Sequence, residues 1–276
     1  MEFKNALYIV STPIGNILDI TIHALECLKS ADFILCEDTR KTDFLLKQHN
    51  ILEKKLLIYN EHSNDADDVR FIELTKEHVV AIVSDAGTPL ICDPGYSLVH
   101  YARRNKVSIV ILPGSCALIA SATLCGININ NMLFLGFFQK GVEFQTDFTN
   151  ALYVAPHDII VFLKALSDYG IFFNINLSIA REVTKLFQEA LFFSDTSSAI
   201  HFFNENPPMG EFTIFVKFCQ KKVDINVELK LLLKELHEWQ SLPLKSLAKF
   251  IHNYCLKFYS QKEIYNNLTL LKKEIG

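Results

Sequence analysis

The segment Val83–Val99, VSDAGTPLICDPGYSLV, packs stiff and turn-forming residues between an apolar run and a helix-like stretch. Asp85 ends the apolar run, where a buried unpaired carboxylate is costly, so it must meet donors of its own loop or the polar part of a ligand. Asp93 reads as the cap of the next helix, with Pro94 in a first turn that tolerates a missing N–H. Pro89 and Pro94 stiffen the loop and lower the ordering cost of binding. Four other polar or glycine-containing segments accompany it: Thr12–Asn16, Glu37–Arg40, Asn60–Asn64 and Pro113–Cys116. Arg40 can meet a phosphate or pair with Glu37 and Asp38, and Asp38 can cap the helix that follows. His62 has an unperturbed pKa suited to taking a proton, and Glu61 could orient it or a sugar. A role for His62 in pinning a polar loop stays open beside that one.

The glycines of these loops can bring backbone amides and carbonyls close to a small cofactor. TPIGN is not G-x-G-x-x-G, however, and no G-x-x-x-x-G-K-[ST] occurs, which takes the main support from a nicotinamide or nucleoside-triphosphate site. Seven cysteines include no C-x-x-C pair, so reduced, mostly buried thiols are expected and a metal site is not.

The elements that must position these loops alternate regularly. Apolar strands are predicted at 6–11, 32–37, 55–59, 79–84 and 107–112, separated by helices, the first of them capped by Asp19 and running to Ser30. This pattern predicts a mostly parallel, three-layer α/β domain over residues 1–124, whose strand ends line a binding crevice. The turn-rich GININNM at 126–132 marks a junction. Residues 125–222 form a second domain of α+β character, with strands near 133–138, 159–163, 175–181 and 212–218. Residues 223–276 read as a helical C-terminal domain of three short helices, with boundaries at Ser241 and Ser260. The 22 phenylalanines are expected to fill the core of the second domain.

Half of the 276 residues are apolar and 21 % are charged, the composition of a globular chain. Net charge is −4, which does not advertise a nucleic-acid binder. The distribution is uneven: residues 221–276 carry 10 Lys and 6 Asp or Glu, against 17 basic and 25 acidic residues before them. A basic helical surface of this kind suits either solvent or an RNA backbone. No apolar run approaches the ~18 residues that span a bilayer, and the opening MEFKNALYIVSTPIGN lacks a signal-peptide pattern, so a cytoplasmic location is expected.

The segments LYIVSTPIGNILDIT (7–21), CEDTRKT (36–42), SDAGTPLICDPG (84–95), LPGSCAL (112–118), REVTKLFQE (181–189) and GEFTIFV (210–216) together resemble the tetrapyrrole-methylase-like superfamily. Within it, the chain is similar to bacterial methyltransferases that modify the ribose 2′-hydroxyl of a cytidine in 16S ribosomal RNA. The resemblance implies a two-lobed fold holding S-adenosylmethionine without a Rossmann fingerprint. It implies cofactor contacts at Pro13 and Gly15, at Asp85, Ala86 and Gly87, and at Ser115 and Cys116. The second lobe would cover the adenine near Leu163–Ala165 and Gly210–Glu211, with Ala165 and Glu211 as the named candidates. His62 and Glu61 would serve the chemistry, and Arg40, Asp38, Lys140, Arg181 and Lys185 the substrate side. The implied partners are 16S rRNA or the assembled small ribosomal subunit and a second copy of the chain, with no DNA and no membrane. The chain departs from the family pattern at Ser115-Cys116, at Asn60, after Phe138 where a basic run is reduced to Lys140, and at Lys164–Asp168. Those departures keep two alternatives in view: a small-molecule methyltransferase of the same superfamily, acting for example on a tetrapyrrole, and a non-catalytic RNA-binding or assembly protein.

Overall fold

The computed structural model describes residues 2–171, 173–220, 225, 229–230, 232–233, 242–254 and 259–275. The chain divides into two compact units, residues 1–219 and residues 220–276. The first unit holds two sheets.

The first sheet is built from β1 (Ala6–Val10), β2 (Phe33–Cys36), β3 (Lys55–Ile58), β4 (Val79–Ile82) and β5 (Ile109–Leu112), in the order β3-β2-β4-β1-β5. Neighbouring strands in this order run parallel. Parallel strands need covering on both faces, and β1 explains how the sequence does it. Leu7 and Ile9 project into one apolar cluster with Leu35, Ile82 and Leu98, while Tyr8 and Val10 project into another with Leu28, Ile34 and Leu112. Successive side chains of a strand alternate between faces, so one short apolar run feeds two cores. The covering helices are α1 (Ile22–Ser30), α2 (Thr39–Gln48), α3 (Asp65–Leu74), α4 (Tyr96–Arg104) and α5 (Ala117–Leu124).

All five predicted strands of this half are present. Two helix starts differ from expectation. Asp19 lies in a short 3-10 turn, and α1 is capped by Thr21, whose hydroxyl accepts from Ala24 N–H. Asp93 does not cap α4; the capping position is Gly95, at φ +129°, and Pro94 precedes the helix. A glycine can take that backbone shape at no steric cost, which leaves the Asp93 carboxylate free to face elsewhere.

The second sheet contains β6 (Met132–Phe137), β7 (Thr149–Val154), β8 (Phe173–Arg181), β9 (Glu189–Phe193) and β10 (Phe212–Gln220), in the order β6-β7-β10-β8-β9. It is mixed: β6 and β7 run parallel, whereas β7–β10 and β8–β9 are antiparallel. Helices α6 (Ile159–Ser167) and α7 (Thr196–Glu205) belong to this half. The strand expected at 159–163 is therefore helix. Ile159, Phe162, Leu163 and Leu166 are buried at helical spacing, and a short apolar run does not reveal its period until something packs on it. The phenylalanines behave as expected of core: Phe138, Phe144, Phe162, Phe203, Phe212 and Phe218 share one cluster, with Phe138 and Phe162 edge to face at 5.4 Å.

In the second unit, α8 (Leu244–Tyr254) and α9 (Gln261–Ile275) contribute Leu247, Ile251, Ile264, Leu268 and Leu271 to a cluster that also holds Leu229 and Leu233. Ser260 starts α9 as a capping box: its hydroxyl accepts from Glu263 N–H at 3.2 Å and the Glu263 carboxylate accepts from Ser260 N–H at 2.8 Å. The first expected tail helix and Ser241 fall largely outside the described residues. Among the described residues no helix is long and apolar enough to cross a membrane.

Candidate functional site

The loops after β1, β4 and β5 are sewn together at their backbones. Thr12 N–H donates to the Gly87 carbonyl at 2.8 Å, and Gly87 N–H returns a bond to Thr12 at 3.1 Å. The Thr12 hydroxyl donates to the Ser84 carbonyl, the Ser84 hydroxyl to Gly87, and the Thr88 hydroxyl to the Ser115 carbonyl at 2.9 Å. Gly87 sits at φ +87°, and a Cβ there would approach the Ile14 side chain at 3.2 Å. The shape is pre-formed, as the proline content implied. Leu90 and Cys92 also hold positive φ, which a non-glycine residue adopts only under constraint from its surroundings.

Two cavities open beside this assembly. One, of about 410 Å³, lies between the two sheets of the first unit. Asp85, Ala86, Gly87, Thr88, Cys92 and Asp93 line it from the β4–α4 loop, Cys116 and Ala117 from the start of α5, and Phe137, Tyr153–Pro156 and Gly210–Thr213 from the second lobe. The Tyr153 hydroxyl accepts from Leu118 N–H at 3.1 Å and so ties that lobe to α5, and burial pushes its phenol up. The other cavity, of about 550 Å³, lies over α2 and is lined in part by Thr12, Pro13, Gly15, Asp38, Arg40 and Phe44. Lys41 and Asp85 line both.

Electrostatics centre on Asp85. Its Oδ1 accepts from Asp38 N–H at 3.2 Å and its Oδ2 pairs with Lys41 Nζ at 2.7 Å. Its own N–H donates to Glu37 Oε1 at 3.3 Å. Burial pushes the Glu37 carboxyl up. Asp93 is pushed further, to about 7, by burial first and then by the charges of Glu37 and Asp85. Asp85 and Asp93, the latter poised near neutrality, line the smaller cavity, with Glu37 bonded to Asp85 N–H, and this wall favours a cationic occupant. Among the described residues no group of three or more His, Cys, Asp or Glu side chains is arranged to hold a metal ion.

The structure brings together most of the cofactor candidates. Asp85, Ala86, Gly87, Cys116 and Glu211 line the smaller cavity, Pro13 and Gly15 line the larger one, and Ser115 supports the floor through its carbonyl. Ala165 does not join them. It lies on the solvent face of α6, because the helix buries Phe162, Leu163 and Leu166 instead, and Val154–Pro156 occupy the place foreseen for it.

The chemical candidates stand apart. The His62 and Glu61 side chains are 84 % and 82 % exposed, lie 3.7 Å from each other and line neither cavity. Asn60 Oδ1 accepts from His62 N–H, so the segment is a turn held by its own asparagine.

On the substrate side, Asp38 caps α2 through Arg40 N–H and takes the Arg40 guanidinium on both oxygens, at 3.0 and 2.7 Å. That pairing holds the Asp38 carboxyl down at about 2. Arg181 is spoken for as well, by Glu189 at 2.6 Å and the Met209 carbonyl at 2.7 Å. Lys185 reaches Glu182 and Glu211, each at 3.0 Å; burial lowers its ammonium, and the two carboxylates outweigh that and raise it. Lys140 is exposed in the turn after β6 and lines neither cavity.

Sequence reasoning alone does not single out Lys41, Tyr153 or Phe44, and it gives Asp93 the wrong task. The signal for Asp93 is the CDPG turn, which equally suits a helix cap, and Lys41 stands in EDTRKT directly beside Arg40.

Comparisons with known proteins bear on this geometry. Residues 6–200 match the family model of Tetrapyrrole (Corrin/Porphyrin) Methylases. A protein of Rickettsia prowazekii (strain Madrid E) named Ribosomal RNA small subunit methyltransferase I is 37 % identical over 278 residues, 96 % of this chain and 97 % of the relative. Its namesake in Hydrogenobaculum sp. (strain Y04AAS1) is 42 % identical over 193 residues, 66 % of this chain and 83 % of the relative. Among solved structures, a diphthine synthase superposes with a TM-score of 0.59 at 12 % identity, covering 78 % of this chain and 91 % of its own. The uroporphyrin-III-C-methyltransferase from Thermus thermophilus gives 0.56 at 15 % identity, covering 77 % and 94 %. At such identities these two speak to the fold alone.

Proposed function

The chain belongs to the tetrapyrrole methylase family and, within it, to the ribosomal RNA small subunit methyltransferase I family, and on that premise we propose that it methylates 16S ribosomal RNA with S-adenosylmethionine as donor. The acceptor on this reading is the ribose 2′-hydroxyl of a cytidine. The observation that carries it is identity at 37 % along 96 % of the chain, which includes the loops that build both cavities.

The residues present fit the donor. The inter-lobe cavity offers acids to a sulfonium and an ammonium, the main chain at Ala86 to polar ends, and Phe137, Ala155 and Pro156 to a flat ring. When bound, the donor supplies an electrophilic methyl carbon. The chain's own part is then to align an oxygen behind that carbon, where orientation alone is worth effective molarities of about 10⁵–10⁸ M. Asp85 is the residue assigned to hold the acceptor proton, because it faces both cavities; His62 and Glu61 face neither. Lys41, 2.7 Å away, holds that carboxylate in place.

Arg181 and Lys185 act on this reading as braces of the second lobe, since carboxylates engage both. The phosphate contacts are assigned to the basic tail and to exposed Lys140. The enzyme is proposed to work in the cytoplasm as a homodimer. Exposed Ile111, Ile119, Leu124 and Ile129, on and after the edge strand β5, offer apolar surface for a second copy to cover.

The test is transfer from labelled donor to naked 16S rRNA, assembled small subunits and a tetrapyrrole. Transfer to a ribose in either RNA substrate is expected; transfer to the tetrapyrrole alone, or to none, defeats the reading. In the same assay Asp85→Asn is expected to slow single turnover at least ~100-fold, with His62→Ala close to wild type.

A further inference from the structure

Methyl transfer in line requires the acceptor to enter from a space that abuts the donor, and the larger cavity meets that requirement. It shares Lys41 and Asp85 with the donor cavity, so the 2.7 Å ion pair between them forms part of both walls. Its size, about 550 Å³, lies within the roughly 300–1,000 Å³ of small-molecule sites.

Its charges identify the kind of occupant. The four ionised side chains of the lining are Asp38, Arg40, Lys41 and Asp85, and they are paired two by two. The two pairs leave the lining without net charge, so an uncharged ring is accommodated without disturbing either of them. The lining also contains Phe44, which is 60 % exposed although it stands on an amphipathic helix whose buried positions are Thr42 and Leu46. Phe44 belongs to no core cluster among the described residues. An aromatic ring left at a cavity wall offers a nucleobase a stacking face.

We propose that this cavity receives the target nucleoside, unstacked from the RNA, with its base against Phe44 and its ribose at the Lys41–Asp85 pair. The inference rests on the functional reading above and adds to it the pocket and a residue that holds the base. An unstacked nucleoside presents its ribose and a free base face together, and an aromatic wall beside the reactive centre suits such a guest.

Phe44→Ala tests it, with Phe44→Tyr as the conservative partner that keeps the ring. Exposure of the side chain makes both changes mild for folding. Three quantities are measured: donor affinity by calorimetry, KM and kcat for RNA methylation, and emission of a fluorescent cytidine analogue at the target position of an rRNA fragment. The expected result for Phe44→Ala is a KM raised about 5- to 150-fold, the worth of one stacked base. Donor affinity stays unchanged, and the emission change seen on binding wild type disappears. Phe44→Tyr restores both. Transfer by the wild type with an unaltered KM and unaltered emission in Phe44→Ala overturns this inference alone. Absence of transfer to any RNA by the wild type overturns the functional reading and this inference with it.

Discussion

Asp93 carries the most informative perturbation among the individual residues. Its pKa of about 7 exceeds the ordinary value of 3.8 because burial and the neighbouring charges of Glu37 and Asp85 oppose ionisation. The sign of the consequence is fixed. Below about pH 4 the group is protonated in both folded and unfolded chains and costs nothing. As pH rises the unfolded chain gives up the proton first, so folding loses stability up to about pH 7 and stays penalised above it. Asp93→Asn is therefore expected to match wild type in thermal melts near pH 4 and to exceed it at pH 8. The gain is on the order of 2 kcal/mol, about half the unscreened value, since the carboxyl is partly exposed. Equal midpoints at pH 8 would mean that the group meets no such opposition. If the donor binds where it is proposed to, its positive charge should relieve the same penalty, which gives that cavity a physical reason to carry both Asp85 and Asp93.

At the scale of elements, the second lobe keeps its braces in place through close backbone approach. Gly210 precedes β10 at φ +90°, and a Cβ there would lie 2.6 Å from the Glu182 side chain. That side chain accepts from Glu211 N–H at 2.9 Å and pairs with Lys185. Gly210→Ala should cost about 1–3 kcal/mol from steric crowding alone, with the unfavourable φ added to it. Because Gly210 and Glu211 also line the cavity proposed for the donor, donor affinity should fall in parallel. Urea unfolding followed by calorimetry on the same variant checks both, and a variant as stable as wild type would show that Glu182 yields freely. Gly15 sits under the same segment, where an added methyl would meet Lys185 Cγ at 2.5 Å, so the β1 loop and the β8–β9 loop are held to a fixed spacing.

For the whole molecule, the charge division and the two compact units run together: the acidic body carries both cavities and the basic residues 221–276 form most of the separate helical unit. Removing residues 223–276 should leave donor affinity within about twofold of wild type, because the cavity proposed for the donor is lined by residues of the first unit. RNA affinity should drop, and its dependence on salt should flatten by about 0.7–0.9 in log–log slope for each phosphate no longer neutralised. Donor calorimetry and RNA binding across a salt titration measure the two effects. An unchanged salt slope would assign the phosphate contacts to the body.

The family was legible through the resemblance of its motifs, whereas local pattern was enough for the strands and turns of the first half, for the loops at their ends and for the aromatic core of the second half. Each of these depends on burial and turn chemistry within a few residues, which apolar runs and glycine or proline positions express directly. The tertiary structure alone decided that residues 159–167 coil as helix, that Gly95 rather than Asp93 starts α4, and that Ala165 faces away. It also decided the partners of the charges. Lys41 meets Asp85 across 44 residues of sequence, and Lys185 meets Glu211, because strand order places distant loops side by side. Coulomb attraction depends on separation in space, and separation along the chain carries no record of it.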